Sequence, residues 1–295
     1  MKNVLVLALA LGLGGTVLAQ QAQAPAFTPP KNDAIPIYDT GQGNGPIPQE
    51  ALKASPRKAG WVDIKMADGT TIKTWMVEPS GSGKAGVVIV IHEIYGLTDW
   101  VRGVADHVAQ DGYIALAPDL LSGMGPNNTG SAELGTQGAT QAIRNLTADI
   151  RAARLNAAMD YGKKLARSNG KTGTVGFCWG GSASLGYAIA QPALNAAVMF
   201  YGSPPTAAGS PTPDYSGLTS IKAPVLALYG ASDNRTTATA QPLADEMKKL
   251  GKPFDFHVYD GAAHGFVRQQ TTEANYKATV ESWPLVVKFF ADHLK

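Results

Sequence analysis

The chain of 295 residues contains a single cysteine, Cys178. Because a disulfide needs two thiols, an internal disulfide is excluded, and the lone thiol is either buried and inert or used in chemistry. Cysteine and histidine form no cluster with the spacing of a metal site, so we predict no metal and no other cofactor. The role of Cys178 has to be judged from the residues around it.

Charged residues are also sparse. They make up 16% of the chain, the formal net charge is +2, and the lysines and arginines are scattered. Neither nucleic acid nor an anionic membrane surface is therefore expected as a partner. A chain of this length with 44% hydrophobic residues can bury one sizeable core without being divided into two domains.

The apolar run at residues 4–17 is too short to span a bilayer. Lys2 precedes it, and the small residues that follow suit cleavage before Gln20, which is typical of a signal peptide. An N-terminal membrane anchor is the alternative. We interpret residues 1–19 as a signal peptide and expect the chain to be exported, to a periplasm or outside the cell, without a membrane attachment after cleavage.

Residues 20–59 are rich in Pro, Gly, Gln and Ala and have no sustained periodicity. This composition predicts an extension or linker on the surface and not a domain of its own. Folding signals begin at Trp61, so residues 60–295 are assigned to one folded domain.

In this domain apolar strands alternate with helices. Residues 61–66 and 71–78 predict an opening hairpin. The other predicted strands lie at residues 86–91, 113–117, 174–177, 196–201, 224–229 and 254–259, and the predicted helices at 99–110, 141–166, 182–190, 241–250 and 275–294. Such alternation predicts an α/β fold with a mostly parallel central sheet flanked by helices on both faces, and functional residues at the carboxyl ends of the strands.

The clearest motif is GFCWGG at residues 176–181, which follows a predicted strand and precedes a helix of small residues. Glycines two positions before and after Cys178 allow the sharp turn of a nucleophile elbow. The thiol would then stand over the helix N-terminus, where N–H groups and the helix dipole favour the thiolate. We interpret Cys178 as a nucleophile, and a buried, unreactive cysteine is the alternative.

An elbow of this kind is typical of the α/β-hydrolase fold, in which an acid and then a histidine follow the nucleophile along the chain. Asp233 comes directly after a predicted strand, and His264 lies in a loop of small residues after the last one. Asp233 could instead form or cap a turn. His257 lies inside a strand, and we expect it to be structural. The sequence predicts a Cys178–His264–Asp233 triad.

The segment HEIYG at residues 92–96 follows the first buried strand. It is not a zinc motif, because glycine stands where the second histidine is needed. In an α/β-hydrolase this loop supplies one backbone donor to the oxyanion hole and the residue after the nucleophile supplies the other, which predicts the N–H groups of Ile94 and Trp179. Glu93 is unusual at the edge of such a hole, and a surface carboxylate is the alternative.

Taken together, four segments resemble the dienelactone hydrolase (carboxymethylenebutenolidase) family over roughly residues 61–295. They are HEIYG at 92–96, GFCWGG at 176–181, GASD at 230–233 and HGF at 264–266. The resemblance implies an α/β-hydrolase catalytic domain at residues 60–295 with the triad named above. It also implies that Glu93 contacts the resting thiol and swings away when substrate arrives.

The same resemblance implies that arginines hold an anionic substrate. Arg268 lies four residues after His264, where the family places one of them. Arg144 and Arg151 are both candidates for a second, and the choice between them stays open. A solvated surface arginine is the alternative for Arg268.

These expectations predict a hydrolase that cleaves small carboxylic esters or lactones through a thioester intermediate. An exported carboxylesterase of broad specificity for neutral esters is the nearest alternative, and a catalytically silent binding module is a third. The expected partner is a small ester or lactone, which is anionic if Arg268 has the implied role. We expect a monomer or a small homo-oligomer.

Overall fold

The structure is a computed structural model that describes residues 27–36, 48–207 and 210–295. The predicted signal peptide lies outside them. The strands are β1 (Ala59–Lys65), β2 (Thr71–Val77), β3 (Ala85–Ile91), β4 (Ile114–Pro118), β5 (Ser168–Phe177), β6 (Ala196–Phe200), β7 (Val225–Gly230) and β8 (Phe254–Tyr259). The α-helices are α1 (Pro48–Ala54), α2 (Asp99–Gln110), α3 (Ser131–Ala142), α4 (Ala148–Lys164), α5 (Trp179–Ala190), α6 (Asn234–Thr237), α7 (Ala240–Lys249) and α8 (Glu273–Leu294).

In the described ranges these strands form one sheet in the order β1-β2-β4-β3-β5-β6-β7-β8. β1 pairs antiparallel with β2, as the predicted hairpin requires, and β2 pairs antiparallel with β4. The remaining pairings are parallel. The predicted mostly parallel sheet is therefore confirmed, and the carboxyl ends of β3, β5, β6, β7 and β8 lie side by side.

Helices cover both faces of the sheet. All seven residues of β3 are buried, because its side chains meet helices on either side. Trp100 of α2 and Trp283 of α8 pack in one core cluster. Leu155 of α4 and Leu185 of α5 pack in a second cluster, on the opposite face. A strand that is covered on both faces consists of a continuous run of apolar residues, which is why β3 is easily recognised in the sequence.

The single long helix predicted at residues 141–166 is wrong. The chain there has the end of α3, a 3₁₀ turn at Ile143–Asn145 and then α4. Thr147 separates the last two, because its hydroxyl accepts a hydrogen bond from the N–H of Ile150 at 3.3 Å and so caps α4. The backbone of an N-cap residue is extended, as it is at Thr147, so one continuous helix cannot pass through it, and the amphipathic pattern did not reveal this break.

The described part of residues 20–59 packs closely on the domain and includes α1, which the sequence analysis does not predict. Arg57 donates to Asp106 of α2, with 2.9 Å between Nε and Oδ1. Ile35 is buried in the core. Gln270 donates a hydrogen bond to the carbonyl oxygen of Pro36 at 3.0 Å. Across the described ranges, no helix combines the length and the apolar character needed to cross a bilayer.

Candidate active site

The candidate residues come from loops that follow neighbouring parallel strands. Glu93 follows β3, Cys178 follows β5, and Asp233 and His264 follow β7 and β8. Tyr201 follows β6, in the middle of this row. Because these carboxyl ends lie at one edge of the sheet, side chains that are far apart in the sequence meet there.

Cys178 occupies a tight turn between β5 and α5, with φ +56° and ψ −119°. Its N–H donates to the carbonyl oxygen of Phe200 at 3.1 Å. Gly180 makes the turn possible, because a Cβ at that position would collide with the carbonyl oxygens of Ile91 and His92. A cysteine in this backbone region is strained, and such strain persists only where the surrounding structure holds it.

The surroundings of the Cys178 thiol have opposing effects on its pKa. Burial raises the pKa most, and the nearby carboxylate of Glu93 raises it further. The N–H of Trp179, the guanidinium of Arg235 and the N–H of Ile94 lower it, but the pKa remains above its usual value. Both N–H groups predicted for the oxyanion hole thus lower the pKa of the thiol. Burial and Glu93 outweigh them, so the resting thiol is kept protonated.

His264 and Asp233 form the partner pair expected of a triad. His264 Nδ1 lies 2.5 Å from Asp233 Oδ2, and Thr236 donates its hydroxyl to the same carboxylate oxygen. Burial alone would raise the pKa of Asp233, but the hydrogen bonds from Thr236 and His264 outweigh it and hold the pKa below its usual value. Asp233 is therefore ionised and fixes which ring nitrogen of His264 carries the proton.

Glu93 is buried, so the surface-carboxylate interpretation is wrong for this residue. Its Oε2 lies 3.1 Å from Nη1 of Arg268, although 175 residues separate the two. The guanidinium of Arg268 also lies over the ring of Tyr95, 4.7 Å from its centroid. Arg268 is thus held beside the site by charge and by an aromatic face, and it is not a freely solvated side chain.

The two candidates for a second arginine differ in their positions. Arg151 lies with its guanidinium 5.6 Å from the centroid of the Trp179 ring and donates to the carbonyl oxygen of Leu146 at 3.0 Å. Arg144 is exposed. Of this pair, Arg151 is the one that contacts a residue of the candidate site. Arg235, which the sequence analysis did not consider, is exposed and close enough for its charge to act on Cys178.

His92 has a supporting role that the sequence analysis did not predict. Its Nδ1 lies 2.8 Å from the carbonyl oxygen of Glu93, and its Nε2 accepts from the N–H of Leu120 at 3.2 Å. The ring also stacks on Trp179, with 5.6 Å between centroids. These contacts require Nδ1 to donate, and burial lowers the pKa of this imidazole. A neutral His92 therefore fixes the backbone of the loop that carries Glu93.

Asn275 fixes the His264 loop in a similar way. Its Oδ1 accepts from the N–H of Ala263 at 2.8 Å, and its Nδ2 donates to the carbonyl oxygen of Gln269 at 2.6 Å. One side chain in the first turn of α8 thus joins the two ends of the loop. The sequence feature that marks the position of Asn275 is Thr272, whose hydroxyl caps the start of that helix by accepting from the N–H of Asn275.

We expect Glu93→Gln to move the pH profile of Cys178 alkylation to lower pH. The substitution keeps the side-chain shape but removes a negative charge that raises the pKa of the thiol. The rate of reaction with iodoacetamide, measured from pH 5 to 10, reads the thiolate fraction directly. Glu246→Gln is the control, because Glu246 also forms an ion pair, with Lys249, but on the exposed surface of α7. An identical profile for both variants would contradict the expectation.

Comparison with known proteins gives a consistent result. Residues 72–294 match the family model described as the dienelactone hydrolase family. A protein of Methylorubrum extorquens named "Putative carboxymethylenebutenolidase" is 29% identical over 243 residues, which is 80% of this chain and 81% of the relative. A Synechocystis protein of the same name is 30% identical over 233 residues, 76% of this chain and 93% of the relative.

A solved structure supports the fold. The Klebsiella pneumoniae protein titled "Putative Dienelactone Hydrolase" superposes with a TM-score of 0.70 at 24% identity, and the match covers 80% of this chain and 99% of that one. At this level of identity the likeness concerns the fold alone, and it confirms the predicted α/β-hydrolase fold.

Proposed function

This chain belongs to the dienelactone hydrolase family, and we propose that it cleaves small carboxylic esters or lactones with Cys178 as the nucleophile. A hydrolase activity is in keeping with the family. In the proposed mechanism His264 is the general base, Asp233 orients its imidazole, and the reaction passes through a thioester without a cofactor.

The observation that carries this proposal is the convergence of separate chain segments on one thiol. Cys178 stands at a strained elbow, and the N–H groups of Ile94 and Trp179 act on its sulfur. His264 and Asp233 form a short hydrogen-bonded pair at the same edge of the sheet. An inert cysteine requires none of these features, whereas covalent catalysis on an α/β-hydrolase fold uses each of them.

The first half-reaction forms the thioester. Cys178 transfers its proton to His264, and the thiolate attacks the carbonyl carbon of the substrate. The N–H groups of Ile94 and Trp179 donate to the oxyanion that develops, and one such donor is worth about 3 kcal/mol of barrier. When the intermediate collapses, the C–O bond breaks and the leaving oxygen takes the proton from His264. In a lactone the leaving group remains attached to the acyl part.

The second half-reaction releases the acid. A water molecule gives a proton to His264 and attacks the thioester carbonyl, and the same two N–H groups stabilise the second oxyanion. Collapse of this intermediate breaks the C–S bond, and the Cys178 sulfur recovers a proton from His264. Asp233 stays ionised throughout and stabilises the imidazolium that forms twice in the cycle.

Glu93 controls when the thiol ionises in this scheme. In the resting site its carboxylate raises the pKa of the Cys178 thiol, and Arg268 pairs with it. An anionic substrate that engages Arg268 would compete with Glu93 for the guanidinium and draw the carboxylate away from the sulfur. The thiol would then ionise beside His264 only when a substrate is present, and the unoccupied site would be protected from adventitious alkylation and oxidation.

A substrate panel with a thiol alkylator tests the proposed function. The purified protein should hydrolyse chromogenic short-chain esters or small lactones, and prior treatment with iodoacetamide should abolish turnover of each. Ester turnover that survives complete alkylation would remove Cys178 as nucleophile, and the absence of turnover on the whole panel would favour a silent binding module.

Arg268→Ala should lower the preference for anionic over neutral substrates by about tenfold. Loss of a charge-assisted hydrogen bond to a substrate carboxylate has roughly this cost, and a neutral ester offers the guanidinium no such partner. Because Arg268 also pairs with Glu93, both substrates will lose some rate, so the ratio of the two kcat/KM values is the quantity to measure.

Arg167→Ala is the control for this prediction, since Arg167 also pairs with a glutamate, Glu78, but lies directly before β5, at the opposite edge of the sheet from the site. Equal losses on the anionic and the neutral substrate in Arg268→Ala would mean that the arginine only supports the loop. That outcome would favour a carboxylesterase of broad specificity for neutral esters.

We also propose that the chain is exported. The support is the sequence pattern of residues 1–19, with Lys2 before a short apolar run and small residues before Gln20. N-terminal sequencing of protein recovered from the periplasm or the medium should begin at or near Gln20. Recovery of full-length protein from the membrane fraction alone would favour the anchor.

A further inference from the structure

Gln270 is a buried glutamine two residues after Arg268, and neither the family resemblance nor the proposed mechanism gives it a role. Its relative exposure is 1%. Its Nε2 donates to two carbonyl oxygens, that of Val267 at 2.8 Å and that of Pro36 at 3.0 Å. A buried side-chain amide that donates both of its protons to backbone carbonyl groups fixes the position of each of them.

The hydrogen bond to Val267 fixes the backbone directly before Arg268. Val267 is fully buried. The turn at residues 264–268 closes on the carbonyl oxygen of Gly265, which accepts from the N–H of Arg268 at 3.0 Å. Gln270 therefore completes a short closed loop around Arg268 and fixes the point from which the arginine side chain extends.

The hydrogen bond to Pro36 connects this turn to the N-terminal extension. Pro36 is buried, and Ile35 beside it lies in a core cluster with residues of α2 and α8. Nearer the start of the extension, the carbonyl oxygen of Asp33 accepts from the side chain of Gln110 at 2.6 Å. The described part of the extension is thus bound to the domain at several points, and it is a fixed support for Gln270.

This support matters most when a substrate is bound. In the resting site the guanidinium of Arg268 lies 3.1 Å from Glu93 and over the ring of Tyr95. In the proposed mechanism an anionic substrate competes with Glu93 for this guanidinium. The pairing with Glu93 is then weakened, so the position of the guanidinium depends more on the backbone that carries it. A charge-assisted hydrogen bond needs good alignment, and a small displacement weakens it.

We propose that Gln270 is a positioning residue for the guanidinium of Arg268, and that the N-terminal extension takes part in substrate recognition through it. The inference rests on the proposed function, in which Arg268 binds an anionic substrate. Gln270 itself contacts no substrate in this scheme. It holds the Arg268 backbone against Pro36, so a segment 234 residues away in the sequence contributes to the affinity for anionic substrates.

The test is Gln270→Leu, which keeps most of the side-chain volume and removes both hydrogen bonds. We expect KM for an anionic ester to rise by about threefold, because the alignment of one binding contact is lost. The kcat for this ester, and both constants for a neutral ester, should stay near their parent values. The variant should also unfold at a lower temperature, because two carbonyl oxygens lose a buried donor.

A double-mutant cycle distinguishes positioning from a general loss of stability. If Gln270 acts through Arg268, the protein with both Gln270→Leu and Arg268→Ala should have the same ratio of anionic to neutral kcat/KM as Arg268→Ala alone. A merely structural role would lower the rates on both substrates equally in either background, and the ratio would not change.

Gln110→Leu is the matched control, because Gln110 also donates its side-chain amide to the extension, but from the end of α2 and not from the Arg268 turn. It should keep the parent ratio. Ile35→Ala tests the extension from its own side. It leaves Gln270 intact and removes buried packing next to Pro36, so the ratio should fall in the same direction as in Gln270→Leu.

An unchanged ratio in Gln270→Leu, beside a lowered ratio in Arg268→Ala, would overturn the inference and leave the proposed function intact. A lowered ratio in Gln270→Leu without one in Ile35→Ala would show that the extension has no share in recognition. If Arg268→Ala itself leaves the ratio unchanged, the anionic substrate is wrong, and the inference fails together with that part of the proposed function.

Discussion

Cys178→Ala should reduce ester and lactone hydrolysis by about 10⁴-fold or more while the protein remains folded. The alanine variant has no atom that can form the thioester, and removal of a nucleophile from a triad typically costs this much or more. The substitution removes one sulfur atom at the edge of the sheet and keeps the backbone of the elbow, so circular dichroism and the thermal unfolding midpoint should change little. Steady-state turnover of the best substrate from the panel is the measurement.

Cys178→Ser provides a second point in the same series. A hydroxyl is harder to ionise beside His264 than a thiol, so we expect a small residual ester activity that iodoacetamide no longer abolishes. Turnover of the alanine variant at the parent rate would mean that the site acts through another group.

Asp233→Asn should reduce kcat by about 10⁴-fold with little change in KM. The carboxylate accepts from His264 Nδ1 at 2.5 Å, and an amide at this position can donate to the ring and select the wrong tautomer. His264 would then present a protonated nitrogen to the thiol and could not accept its proton. The effect falls on the chemical step, so kcat and KM must be measured separately.

Asp214→Asn is the control for that substitution. The carboxylate of Asp214 accepts from the N–H of Ser216, and hydrogen bonds lower the pKa of this residue too, but it is exposed. The variant should have parent activity. A kcat loss of only a few fold in Asp233→Asn would show that the imidazole keeps its orientation without the carboxylate.

The candidate site residues could be selected from the sequence because each motif has a local physical cause. The elbow at residues 176–181 needs a strand, flanking glycines and a helix of small residues, and all three can be read within a dozen positions. Asp233 and His264 each follow a strand directly. Once the order of the strands in the sheet is known, their meeting at one edge follows from the parallel arrangement.

The contacts between loops could not be predicted in this way. Glu93 and Arg268 pair across 175 residues, and nothing in either segment shows which partner it will find. Tyr201 reads in the sequence as one more aromatic residue at the end of a buried strand. Its ring lies edge-on to the ring of His264, and this contact is a property of the assembled loops alone.

The same distinction explains the helix that was predicted incorrectly. Residues 141–166 have the spacing of one amphipathic helix. A prediction from periodicity depends mainly on the apolar side chains of the buried face. Thr147 interrupts it through a single hydroxyl contact at a cap. A cap of this kind involves one residue, so it leaves almost no trace in a pattern that is averaged over several turns.

The backbone of Cys178, with φ +56° and ψ −119°, makes the elbow a position at which folding stability and the proposed chemistry favour different residues. Glycine adopts that conformation at no steric cost, whereas a residue with a Cβ there lowers the free energy of unfolding by about 1–3 kcal/mol. Selection for thermostability alone, in a laboratory or in a hot environment, would therefore favour replacing the one residue on which turnover is proposed to depend. Stabilising substitutions should be sought far from the elbow, and a library screened only for survival on heating should be expected to enrich inactive variants at position 178.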